Sequence, residues 1–98
     1  MAENDDSIPN RAVVTVLGGD KVGIVAEVTD LLAEHNANIA DISQTLLEDL
    51  FAMMMLIKLD DLDTDFEQLN QKLEAKGEKL GVKIMLQHEK VFRYMHRI

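Results

Sequence analysis

The chain has no cysteine, no tryptophan and a single proline, Pro9, in 98 residues. Without cysteine it cannot be a disulfide scaffold, hold a Cys-ligated zinc or iron–sulfur centre, or use a thiol nucleophile. Its four aromatic residues, Phe51, Phe66, Phe92 and Tyr94, are too few and too scattered for the base-stacking surface of a nucleic-acid-binding sheet. No run approaches the ~20 apolar residues of a membrane span. The first nine residues hold Glu3, Asp5 and Asp6 and no apolar stretch, so they read as an acidic leader, not a signal peptide. These absences point to a cytoplasmic soluble protein with neither a membrane nor a nucleic acid as direct partner.

What is present suits one compact domain. Hydrophobic residues make up 47% of the chain and charged ones 29%, and a domain of this length buries roughly 60–70% of its unfolded surface. The formal net charge of −8 is unevenly spread. Residues 1–71 carry three basic and fifteen acidic side chains, a balance of −12, whereas residues 72–98 carry seven and three, a balance of +4. Most of this reads as solvated surface.

Ala12-Val13-Val14-Thr15-Val16-Leu17 is a β-branched run with no polar face, the pattern of a central strand covered on both sides. Gly18-Gly19-Asp20 breaks it. Val22, Ile24, Val25, Val28, Leu31 and Leu32 then recur at helical spacing, with Asp20 as the expected N-cap and Asn36 as a left-handed stop. A second strand runs from about Asn38 to Leu47, with Ala40, Ile42, Gln44 and Leu46 on one face and Ile39, Asp41, Ser43, Thr45 and Leu47 on the other. Glu48-Asp49 turns the chain into Phe51–Ile57, again apolar on both faces. After an acidic loop, Thr64 and Glu67 form a capping box ahead of the stripe Phe66, Leu69, Leu73 and Leu80. Val82, Ile84 and Leu86 alternate as in an edge strand, and the tail from Glu89 places Val91, Met95 and Ile98 at helical spacing.

The order is βαββαβ. Right-handed crossovers put both helices on one side of a four-stranded antiparallel sheet, an α+β ferredoxin-like sandwich with the first and third strands central. Residues 1–11 are expected to be a disordered leader and 12–98 the domain with a short C-terminal tail. Helices on one face leave the other uncovered, with Thr15, Met54, Leu56, Ile42 or Leu47 forming an apolar patch of a kind monomers rarely expose. A homodimer is the first expected cover, and the C-terminal tail folding across the sheet is the competing one.

Little in the chain suggests catalysis. His35, His88 and His96 are widely spread, so neither a metal nor any other cofactor is expected; no Ser–His–Asp spacing occurs, and the Met53-Met54-Met55 run alternates across a strand as core filling. The loop Gly18-Gly19-Asp20-Lys21-Val22-Gly23 ends a central strand and opens a helix, where free amides suit a carboxylate or phosphate, yet it is neither a Walker loop nor Gly-x-Gly-x-x-Gly. A tight turn with close helix–sheet packing accounts for those residues equally well, and Asn38 equally reads as a turn residue bonding its own backbone.

The run Val13 to Ala26, the stretch Asn38-Ile39-Ala40-Asp41-Ile42-Ser43-Gln44 and the ending Phe92-Arg93-Tyr94-Met95-His96-Arg97-Ile98 together resemble the ACT domain family, in particular its small stand-alone bacterial and archaeal members. Those members are similar in turn to the ACT units of the glycine-cleavage repressor and of formyltetrahydrofolate deformylase. The resemblance covers nearly everything after Arg11. It implies a regulatory, non-catalytic module that binds a small ligand, often an amino acid, at a subunit interface. It also implies that Gly23 allows close approach, that amides around Lys21, Val22, Gly23 and Ile24 meet the ligand, that Asp20 holds it, and that Asn38 faces it across the dimer. The chain departs from the family pattern at Val22, where many members carry proline, and at Gly18, where some carry histidine. The expectation is an amino-acid-sensing homodimer that a regulated protein partner reads. The alternative is a ligand-free interaction module docking through its open sheet face or edge strand.

Overall fold

The computed structural model describes residues 10–19 and 23–95. The elements run β1 (Arg11–Gly19), α1 (Ile24–Glu34), β2 (Asn38–Leu47), β3 (Leu50–Lys58), α2 (Phe66–Leu80), β4 (Lys83–His88) and α3 (Glu89–Met95). The sheet order is β2-β3-β1-β4, with every neighbouring pair antiparallel. The two strands that are apolar on both faces are therefore the central ones, as the ferredoxin-like reading requires.

Strand register sorts the side chains into two faces. Rows such as Ile42–Met55–Val14–Leu86 and Gln44–Met53–Val16–Ile84 point toward α1 and α2. There they meet Ile24, Val28, Leu32, Leu69 and Leu73 in one continuous buried core. Rows Asp41–Leu56–Val13–Gln87 and Ser43–Met54–Thr15–Met85 point the other way.

One pairing detail corrects the expected pattern of β2. The register slips between Ile39 and Asp41, so Ala40 is an extra residue opposite no partner. Such a bulge resets the alternation: Ile39, opposite Ile57, lies on the helix-facing side together with Ile42, which sits opposite Met55. Ile42 is thus not part of the uncovered face, whereas Thr15, Met54, Leu56 and Leu47 are.

The helix boundaries differ in instructive ways. The N-cap of α1 is Gly23, at φ 90°, with no side-chain cap bond; Asp20, the expected cap, lies outside the described residues and several positions before the helix begins. For α2 the cap is Asp65, whose carboxylate accepts from the Gln68 amide at 2.8 Å. Thr64 does not cap the backbone; its hydroxyl donates to Oε1 of Gln68 at 2.9 Å. The two acidic and hydroxyl candidates are adjacent, and the carboxylate one residue nearer the first turn takes the orphan amide. Asn36 has the left-handed conformation expected of it, φ 62°.

The tail is helical as its spacing predicts. Val91, Met95 and Tyr94 are exposed, while Glu89 is buried and Phe92 half-buried; Ile98 lies outside the described residues. Helix α3 packs on β1 and β4, on the sheet face opposite α1 and α2. The competing cover is thus realised in part: α3 buries Val13, yet Leu17, Leu47, Leu50 and Met54 stay exposed. Strand β1 also starts at Arg11, one residue earlier than expected, and the rest of the leader, residues 1–9, lies outside the described residues.

Candidate ligand site

Of the six residues singled out for ligand contact, Asp20, Lys21 and Val22 lie outside the described residues. Gly23, Ile24 and Asn38 are described. Gly23 is exposed with a left-handed φ, and nothing stands within 4 Å of where a Cβ would be. The position therefore needs glycine for its backbone and not for space inside the fold. Its carbonyl accepts the Glu27 amide at 3.0 Å; the amides of the first turn before Glu27 have no intrahelical acceptor. Ile24 sends its side chain into the core, fully buried, so its backbone alone is available to a ligand.

Gly18 has a different role. A Cβ there would lie 2.6 Å from Cγ1 of Val82. Glycine at this position lets the residue leading into β4 pack against the end of β1, so any larger side chain would have to displace Val82.

Asn38 is exposed at the first position of β2, opposite Lys58, whereas Gly19 ends β1 opposite Leu50. At ~3.3 Å per strand residue, the eight residues from Leu50 to Lys58 separate these two ends of the sheet by about 26 Å. Within one chain, the glycine turn and Asn38 are not brought together. All ten residues of β2 are exposed, and among the described residues the strand pairs with β3 alone, leaving its outer edge unpaired by them.

A second concavity, invisible to the sequence reading, lies on the open sheet face. It measures about 310 Å³ and sits between α3 and the β2–β3 edge. One wall is anchored by Glu89, the one buried charged residue among those described. Its carboxylate accepts from Arg11 Nε and Nη2, both at 2.8 Å, and from Arg93 Nε at 2.8 Å and Nη2 at 2.7 Å. The Arg11 hydrogen bonds, reinforced by those of Arg93, hold the Glu89 carboxyl below its ordinary 4.5 against the opposing effect of burial. Arg11 is in turn raised by its bond to Glu89. Spacing alone gave no sign of this triad, because Arg11 and Glu89 are 78 residues apart.

The two described imidazoles make structural contacts, and His96 lies outside the described residues. His35 Nδ1 lies 2.9 Å from Asp63 and its Nε2 3.2 Å from Lys72 Nζ, tying the end of α1 to α2, while His88 Nε2 lies 3.1 Å from Asn10 Oδ1. Among the described residues no group of three His, Cys, Asp or Glu side chains converges as a metal would need, and no helix is long and apolar enough to cross a membrane.

The strand order and the crossovers define a ferredoxin-like α+β domain with Gly23 and its edge strand β2 both open to solvent. The ACT domain family model matches residues 10–87, and the chain belongs to that family. A UPF0237 protein of Methanopyrus kandleri is 57% identical over 88 residues, covering 90% of this chain and 98% of its own length. An ACT domain protein from Streptococcus pneumoniae is 44% identical and superposes with a TM-score of 0.76 over 87% of this chain and 96% of that one. A formyltetrahydrofolate deformylase from Pseudomonas syringae pv. tomato shares the fold over 84% of this chain and 28% of its own, with a TM-score of 0.77 at 24% identity.

Proposed function

We propose that the chain is a regulatory, non-catalytic domain that binds an amino acid at the interface of a homodimer. The observation that carries this reading is the unpaired β2 edge beside the glycine-opened start of α1. Two β2 strands meeting antiparallel about a two-fold axis would set Asn38 of the partner subunit beside Leu47. That is the end of the sheet where β1 stops and α1 begins. The 26 Å offset along the strands that separates the two halves of the site in one chain would then be removed between two chains. The uncapped amides from Ile24 onward suit a carboxylate, and Asp20 is the acceptor assigned to the ammonium. Isoleucine and leucine side chains exposed along β2, together with Leu50, supply apolar area for the contact.

The mechanism is linkage. A ligand held by both subunits stabilises the dimer arrangement it bridges, and a partner protein that binds one arrangement better than another reads its presence. Cytoplasmic location fits this role. Calorimetry with each of the twenty amino acids tests the ligand, and sedimentation at tens of micromolar tests the dimer. Heat for at least one amino acid, lost in Asn38→Ala while the dimer persists, is the expected result. No heat for any at millimolar concentration overturns the ligand, and a monomer overturns the interface.

A second reading is favoured by Leu47 and Leu50, 66% and 59% exposed at the end of the β2–β3 hairpin. They suit a docking module that joins a larger protein and needs no ligand. Capture of one stoichiometric partner, together with silence toward all amino acids, would select it.

A further inference from the structure

We propose that the groove between α3 and the β2–β3 edge is a separate site for a small primary amine with a compact apolar body. Its volume of about 310 Å³ is at the lower end of the ~300–1,000 Å³ of small-molecule pockets. Val13, Met54 and Leu56 form an apolar floor, with Phe92 on the α3 side. Asp41 and Ser43 stand along the β2 side, two residues apart on one strand face and opposite Leu56 and Met54.

The charges decide the class of ligand. On the α3 side, Arg11 of β1 and Arg93 together place four short contacts on the Glu89 carboxylate, although Arg93 lines the groove and its side chain keeps 71% of its surface exposed. Asp41 is in the opposite condition. Among the described residues it has no cationic partner, and its one hydrogen bond is from the neighbouring Ile42 amide to Oδ1 at 2.9 Å. Its carboxylate therefore retains acceptor capacity on the mouth of the groove. Ser43 adds a hydroxyl oxygen on the same side. An ammonium has three donors and no acceptor, so it complements a carboxylate with a hydroxyl beside it. A ligand carboxylate would instead face the Asp41 carboxylate on the β2 side and would have to share Arg93 with Glu89. The formal net charge of −8 biases the surroundings toward cations as well.

This site is distinct from the glycine turn. An amine without a carboxylate offers nothing to helix-start amides, so the proposed amino-acid site can fail while this one stands, and the reverse.

The test is a methyl and amide NMR titration of the full chain with a matched pair, phenethylamine and 3-phenylpropanoate. Phenethylamine is expected to shift the Met54 and Leu56 methyls along one saturation curve and leave the Gly23 amide unmoved. Asp41→Asn keeps the acceptor for the Ile42 amide but removes the charge, and should weaken phenethylamine by about two- to fivefold, the range of an exposed ion pair. The carboxylate should shift neither methyl at the same concentration. An equal response to 3-phenylpropanoate, unchanged affinity in Asp41→Asn, or shifts confined to the exposed Leu47 and Leu50 would each overturn the proposal.

Discussion

Met53 and Met55 are fully buried beneath α1 and α2, whereas Met54, between them on the same strand, keeps 39% of its surface exposed on the other side. The same contrast runs along β1, where Val14 and Val16 have no exposed surface and Leu17 has 43%. Within Met53-Met54-Met55 the residue type is constant across the two faces, so burial there follows from which layer lands on each. Two 11- and 15-residue helices cover one face; the seven-residue α3 reaches β1 and β4 on the other and stops short of β2. An apolar strand records that a cover is wanted and leaves open what supplies it.

The largest effect should separate the two faces directly. Met55→Ala removes a side chain from the closed core and should cost about 2–5 kcal/mol in urea unfolding. Met54→Ala in dilute solution should cost less, about 1–2 kcal/mol, because 39% of its surface stays in water. If the open face is an interface, the Met54 penalty should grow with protein concentration while the Met55 penalty does not. Equal penalties at every concentration would erase the contrast.

The next effect concerns the one polar anchor of α3. Glu89→Gln leaves two guanidiniums without their carboxylate and should lower stability by about 1–3 kcal/mol. Because the folded state holds the Glu89 carboxyl below its ordinary 4.5, the group releases its proton more readily when folded. Its stabilising contribution is full above pH 4.5, is lost as the pH falls below it, and is absent once both states are protonated. Between neutral pH and the acid limb, the stability of Glu89→Gln should fall less steeply than that of the unmodified protein. Parallel curves would show that the triad contributes nothing.

Smaller effects compare the two helix starts. Asp65→Ala should cost about 0.5–2 kcal/mol as the loss of an N-cap, with Thr64→Ala nearer zero. Gly23→Ala meets no neighbouring atom but must hold φ 90°, and should cost about 1 kcal/mol of backbone strain. Asn38→Ala, exposed at the start of β2, should leave stability within about 0.5 kcal/mol of the original, so any loss of ligand response in that variant reports on binding.

The elements, their order and the central position of β1 and β3 were legible because hydrophobic periodicity and turn residues report local geometry and two-sided burial. The features that escaped are those set by contacts between distant segments. Ala40 carries no mark of a bulge, since the extra residue is fixed by how β2 meets β3. The helical spacing of the tail was legible, but not the face by which α3 meets the sheet, which is anchored by the contact of Glu89 with Arg11 across 78 residues of chain. The segment ahead of α1 was legible as glycine-rich, but the helix start at Ile24, directly after Gly23 in the left-handed conformation, was not. For the candidate site, residue types were readable from the chain; the opposite placement of the turn and Asn38 on the sheet was not.

That placement gives the most direct test of the central claim. In one chain the glycine turn and Asn38 are about 26 Å apart, too far for one amino acid to touch both. Backbone amide shifts of Gly23, Ile24 and Asn38 should be followed while each of the twenty amino acids is added to the protein. For at least one amino acid, all three amides should move along a single saturation curve, as a ligand bridging two subunits requires. Movement at Gly23 without Asn38, or no movement with any amino acid at millimolar concentration, would contradict it.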